Sequence, residues 1–344
     1  MDHPAVEAAR RLADELLRPH AERVDVAGVP RSHLDALADA GLMAVTDLPL
    51  PVMREVTETL AGADASTWFV WSQHHTPVRT VRRCDNTDLQ DRVLAPLLAG
   101  TTLAGVAFTH LRRPGPPALT ATPDGDIWRL DGDIAWLTSW QLADIFCVGA
   151  QHEDDVVWML LPLRDTEGVE AEPLGLAAMA GTSTFRVRLD NVRVPARDVA
   201  LAEPLSSWRA SDAAKTADVS PAVFGVTGEA LRRLRERSDP VSGAVAEELH
   251  EELGRLRTAA YSLADDAAAA DRVDDRLRLR AQAHLLALRA TTALVTVGAG
   301  RAMLLDSAAQ RLARVALFLL VQGQTADVRE ATLRGLAQQA PARQ

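Results

Sequence analysis

The sequence predicts an α+β multidomain chain in which a helical segment, a β segment and a second helical segment follow one another. Three observations lead there. Apolar residues recur at helical spacing up to about residue 100, short β-branched runs broken by turn residues fill 101–203, and long alanine-rich helical periodicity occupies 204–344. The expected units are therefore 1–100, 101–203 and 204–344.

In the first unit, residues 5–23 place Leu12, Leu16 and Leu17 on one side with arginines and acids on the other. Pro30 starts a second helix that Gly41 stops, a third runs through Val52, Val56 and Leu60, a fourth holds Trp68 to His75, and a fifth spans Leu89 to Leu98 before Gly100. In the second unit, Asp124-Gly125 separates 118–122 from 127–130 as a hairpin. Further strands are expected at 145–150, 156–161 and 185–189, with Pro195 closing the region. In the third unit, helices are expected over 222–235, 245–270, 276–298, 302–321 and 326–337. Alanine there favours helix and lets helices approach closely.

The 344 residues are 47% hydrophobic and 24% charged, enough for two or three compact units. A net charge of -10 with no basic stripe argues against nucleic acid and anionic membrane surfaces as partners. Cys84 and Cys147 stand in unrelated contexts, so no metal spacing and no disulfide framework is expected. The N-terminus turns directly into an amphipathic pattern and the apolar run 315–321 is too short to cross a bilayer, so a cytoplasmic protein is the expectation.

Four local patterns carry a family resemblance: Gly105-Val106-Ala107-Phe108-Thr109; Leu130 to Thr138 followed by Ala143-Asp144; Thr182-Ser183-Thr184 followed by Leu189 to Pro195; and Gly298-Ala299-Gly300 followed by Arg311 and Arg314. In this order they resemble the strand ending in Thr-Glu, the G-x-K-x-W-I-T…A-D stretch, the S-x-T…V-x-V-P segment and the G-G-x-G…R-x-x-R helix pair of the acyl-CoA dehydrogenase superfamily. The resemblance covers nearly the whole chain. It implies an N-terminal helical domain, a middle β-barrel-like domain and a C-terminal four-helix bundle. It also implies FAD between the β domain and the C-terminal helices, in a homodimer or homotetramer or with a paralogous subunit.

Carried over residue by residue, the resemblance sets Trp136 against the flavin ring and Thr138 near its N5, with Phe108 and Thr109 at the pyrimidine side. Gln324 and Thr325 border the same site. Arg237 is what remains of an R-x-x-F-G motif that serves a partner subunit's FAD. The protein's part in such chemistry is to position and tune the cofactor. The family's proton-abstracting glutamate would fall in the turn Val321-Gln322-Gly323-Gln324-Thr325, on Gly323 or Gln322 according to the alignment, and neither is a carboxylate. The alternative place for that acid, on the first C-terminal helix, corresponds to Lys215, the only lysine in the chain. His74, His75 and His110 are the replacement acid/base candidates, since histidine titrates in the useful range. Against that, Trp68 and Trp71 could simply pack one helix face and leave these histidines bonded to backbone. Asp212 is expected as an exposed helix cap. Arg311 and Arg314 are expected to satisfy helix ends or acidic neighbours.

Thr109 is followed by His110-Leu111-Arg112-Arg113 where the family has an E-x-x-G-S-D loop, so a phosphate-approaching serine is missing. Arg112 and Arg113 either compensate for it or form a solvated pair. With these departures the expectation is FAD whose binding is weakened, altered or lost. The sequence thus points to an FAD-dependent oxidoreductase acting on an acyl thioester or related small molecule without the standard base. The alternatives are a non-catalytic partner subunit or binding protein on this scaffold, and a flavin-dependent monooxygenase.

Overall fold

The structure, a computed structural model, describes residues 2–337. Residues 338–344 of the expected third unit lie outside the described residues.

The N-terminal helices are α1 (Pro4–Leu12), α2 (Arg18–Ala27), α3 (Arg31–Asp39), α4 (Leu50–Ala63), α5 (Ala65–Arg83) and α6 (Thr87–Ala99). The single helix expected over 5–23 is interrupted by a π-turn at Ala13–Leu17, where the Arg18 N–H bonds back to the Ala13 carbonyl. Pro19 explains it: proline lacks an N–H and its ring crowds the carbonyl four residues back, so the chain widens by one residue. The segment around Trp68 to His75 belongs to the longer α5, which starts where the Asp64 carboxylate accepts from the N–H groups of Ser66 and Thr67.

The strands are β1 (Ala104–Ala107), β2 (Leu119–Asp124), β3 (Ile127–Leu137), β4 (Ile145–His152), β5 (Asp155–Leu161), β6 (Val169–Pro173), β7 (Phe185–Pro195) and β8 (Val199–Pro204). They form one sheet in the order β6-β7-β3-β2-β4-β5-β8, with β1 parallel to β4. One face packs mainly on itself, through Leu130, Ile134, Phe146 and Val187. That is the barrel-like arrangement, with β6 and β8 as its edges. The other face of β1, β4 and β5 receives α5 and α6 through Val78, Leu89, Val106 and Trp158. β3 carries a bulge beside Gly132, whose φ is +139° and where a Cβ would sit 2.1 Å from the Ala118 carbonyl, so only glycine serves.

After the sheet come α7 (Leu205–Ala217), α8 (Pro221–Arg235), α9 (Pro240–Asp266), α10 (Val273–Gly298), α11 (Ala308–Val321) and α12 (Ala326–Ala337). The expected helix start at Ala302 is instead a short 3-10 turn, Ala299–Met303, and α11 begins after Ser307. The stretch Val273–Met303 is long and apolar enough to cross a membrane. It is nevertheless the central helix of the bundle and carries Arg276, Arg280 and His284 buried within the protein. The N- and C-terminal helices share one core, in which Leu17, Val56 and Trp71 meet Phe224, Leu286 and Leu312. Close contact of α4 with α8 depends on a glycine, because a Cβ at Gly225 would lie 2.1 Å from the Glu58 carbonyl.

Candidate active site

Where sheet, N-terminal helices and C-terminal bundle meet, a cleft of about 1180 Å³ opens. β3 ends there. Trp136 is 49% exposed and lines the cleft, an unusual position for so large an apolar ring unless something covers it. Two residues on, Thr138 is 7% exposed and also lines the cleft. Phe108 and Thr109, just beyond β1, border the same space, as do Gln322, Gly323 and Gln324 in the turn after α11.

Thr138 belongs to a chain of hydroxyls with a determined direction. The Thr182 hydroxyl donates to the Met179 carbonyl at 2.7 Å. Having one proton, it can only accept in its 2.8 Å contact with Thr184, and Thr184 in turn can only accept in its 3.0 Å contact with Thr138. The proton of Thr138 is therefore committed to Thr184, and at the cleft the Thr138 oxygen can only accept.

The two places where the resemblance would put a catalytic acid converge on this cleft. Gly323 (φ +63°) faces the end of α7, where a Cβ at Gly323 would sit 3.4 Å from Thr216 Cγ2, and Lys215 lines the cleft beside it. Neither place holds a carboxylate. Asp218 is the one acid lining the cleft among the described residues, and its carboxylate is paired with the buried Arg276.

The histidine candidates are corrected by the geometry. His74 Nε2 bonds the Leu97 carbonyl at 2.9 Å while Nδ1 accepts from the Ala104 N–H at 3.1 Å, so both nitrogens hold α5 to α6 and β1. His110 Nε2 bonds the Gly149 carbonyl at 2.7 Å. His75 is buried edge-on to Trp71, with neither ring nitrogen partnered. Burial pushes His74 and His110 down to about 4 and His75 well below the ordinary value, and none of the three lines the cleft. Asp212 is no cap: it lies inside α7 and takes a two-pronged bond from Arg112 at 2.7 and 2.8 Å. Arg112 is thereby engaged, while Arg113 faces the cleft without a carboxylate partner among the described residues. Arg237 and Thr325 do not line the cleft. Thr325 accepts from the Val328 N–H at the start of α12. Arg314 pairs with Asp25 at 2.5 Å and Arg311 with Glu22 at 3.4 Å, as acidic neighbours.

Residues with no signal in the pattern reading also shape the site. Arg280 lines the cleft from α10, and Arg54 from α4. Tyr261 of α9 lines it too and donates to Glu58 at 2.5 Å, next to Arg257. Burial raises Glu58 above the usual carboxylate range despite those two partners.

No family model matches the sequence, and no curated protein matches it. Solved structures do. The butyryl-CoA dehydrogenase of Megasphaera elsdenii superposes with a TM-score of 0.79 at 17% identity, covering 97% of both chains. A glutaryl-CoA dehydrogenase from Mycobacterium smegmatis in complex with FADH2 gives 0.79 at 18%, over 98% of this chain and 95% of that one. FkbI, described for biosynthesis of the methoxymalonyl extender unit of the Fk520 polyketide, gives 0.76 at 20%, over 96% and 99%. At such identities the likeness is one of architecture, and it extends from end to end: this chain has the acyl-CoA dehydrogenase fold.

Proposed function

We propose that the protein is a flavoprotein oxidoreductase that holds FAD in the cleft and acts on an acyl thioester or related small molecule. The observation that carries this is the pairing of a half-exposed Trp136 with the wired hydroxyl of Thr138 on one cleft wall. An aromatic wall beside a fixed polar atom suits an isoalloxazine ring, and the backbone beyond β1 at Phe108 and Thr109 adds polar groups along the same wall. Trp136 would cover the ring, Thr138 would accept from the N5–H of the reduced ring, and Arg113 would approach a phosphate. Bound flavin would supply the two-electron chemistry. The residues of this chain would orient the substrate and exclude water.

Proton abstraction from carbon is the step these residues serve poorly. Asp218 is neutralised by Arg276, and Gly323 and Gln322 carry no basic oxygen. That gap favours, as a second reading, a flavin monooxygenase, which needs no such base. Exposed Leu317, Val321 and Leu333 on the C-terminal helices support assembly as a homo-oligomer, with the cytoplasm as the proposed compartment.

The test is direct. Purified protein is examined for flavin absorbance, denatured, and the released cofactor identified. It is then assayed with acyl-CoA thioesters and an artificial electron acceptor. Colourless protein that takes up no added FAD sinks the proposal. Oxygen-dependent turnover without reduction of the acceptor selects the monooxygenase.

A further inference from the structure

Resting on that flavoprotein reading, we infer that the cleft contains an anion site, built on Arg280, that takes a carboxylate carried by the substrate. Arg280 is 5% exposed and lines the cleft. Its Nη1 donates to the Asp218 carbonyl at 3.0 Å and its Nη2 to the Gln322 carbonyl at 2.7 Å, while its Nε is buried with no partner. Carbonyls orient a guanidinium without cancelling its charge. No carboxylate lies within ion-pair distance of Arg280 among the described residues, and the nearby Asp218 is committed to Arg276. Burial and the neighbouring Arg112 bring the group down to about 10, which leaves it cationic at neutral pH.

The remaining charges of the cleft sharpen the point. Arg54 and Arg112 have carboxylate partners in Asp265 and Asp212. Arg113, Lys215 and Arg280 line the cleft with none among the described residues, in a chain whose net charge is -10. A buried cation left uncompensated is strongly unfavourable, and a bound anion removes the penalty. A cleft of one sign also concentrates ligands of the other.

Space for the anion is present at the turn. A Cβ at Gly323 would lie 3.9 Å from Arg280 Nη2, so no side chain at the turn occupies the space next to the guanidinium. A terminal carboxylate is small and planar, and it matches the donor fork of arginine. The charge at this point is opposite to that of a carboxylate base. A phosphate of the carrier or cofactor shares the anionic chemistry and is separated from the carboxylate by experiment.

The test compares succinyl-CoA with butyryl-CoA, equal in carbon count and differing in a terminal carboxylate against a methyl. Binding to the purified full-length protein is followed by calorimetry, with CoA alone and inorganic phosphate as further arms and flavin absorbance recorded on every sample. Succinyl-CoA should bind about ten- to a hundredfold more tightly. Arg280→Gln should abolish the preference, and Arg280→Lys should retain part of it, since the charge stays and the fork is lost. Equal binding of the two thioesters by the wild-type protein overturns the proposal, a result that does not depend on whether a variant folds. So does an Arg280→Gln protein that weakens both thioesters and CoA alone alike, which would assign the guanidinium to a phosphate. Binding of neither thioester overturns it together with the acyl-thioester reading. Flavin-containing protein without the preference refutes the carboxylate site alone. Colourless protein that keeps the preference refutes the flavin reading alone.

Discussion

Of the five histidines at most 5% exposed, His74, His75, His110 and His284 are held neutral by burial, and His33 is lowered chiefly by the same cause. His74 and His110 titrate at about 4 and His284 at about 3 in the folded protein, against an ordinary value of 6.5. Between these limits the unfolded chain binds protons that the folded one refuses, so stability falls as pH drops through the unfolded value and levels off below the folded one. From about pH 7.5 to about pH 5.5 each histidine costs roughly 1.3 kcal/mol, and the four together up to about 5 kcal/mol. That is comparable with the whole stability of many proteins. Glu58 and Asp64, whose carboxyls burial raises, act in the opposite sense, because the folded state takes up their protons first as pH falls. With an unfolding entropy near 2.1 cal/mol/K per residue, the histidines alone correspond to a drop in thermal midpoint of about 7 °C. Scanning calorimetry at the two pH values measures it, and His75→Phe should remove about a quarter of the difference. A midpoint that stays within about 1 °C would refute the claim that these side chains are neutral inside the fold.

Trp136→Ala should leave stability within about 0.5 kcal/mol, because half the ring is already in water, while flavin content of the purified protein falls sharply. Unchanged flavin content would remove the ring from the site. Thr184→Val breaks the hydroxyl chain between Thr138 and Thr182 and should cost about 1–3 kcal/mol in denaturant unfolding. It also frees the Thr138 proton to donate, which favours the oxidised N5, so the midpoint potential of bound flavin should fall by about 10–30 mV. A rise would reverse the deduced direction of the chain. Gly323→Glu should not create a dehydrogenase: a carboxylate there would lie against Arg280, which depresses its basicity, and the positive φ adds about 1–2 kcal/mol of strain. Exchange of acyl-CoA α-protons with heavy water, read by mass spectrometry, should stay at the wild-type level.

The succession of helices, sheet and helices was legible because it rests on periodicity and punctuation, both local properties of the chain. Trp136 and Thr138 line the same cleft for a similar reason. Alternation along one strand sets which side chains share a wall, and four ordered motifs supply the register. What failed were inferences about side-chain partners. His74 looks reactive in a list of residues, yet its two nitrogens join three elements up to 30 residues apart. Arg112 looks free beside Arg113, yet Asp212 claims it across 100 residues. Arg280 drew no notice, since one arginine in an alanine-rich helix resembles every other until the fold decides which acid is within reach. The site's charge is a property of these long-range pairings: each acid near the cleft, whether Asp212, Asp218 or Asp265, is matched to an arginine, and Arg280 is the buried cation left over. The lack of a carboxylate at the turn and the presence of this cation belong together physically. An acid placed at residue 323 would meet Arg280 first and substrate second, so building proton abstraction here would require changing both positions, starting with the arginine.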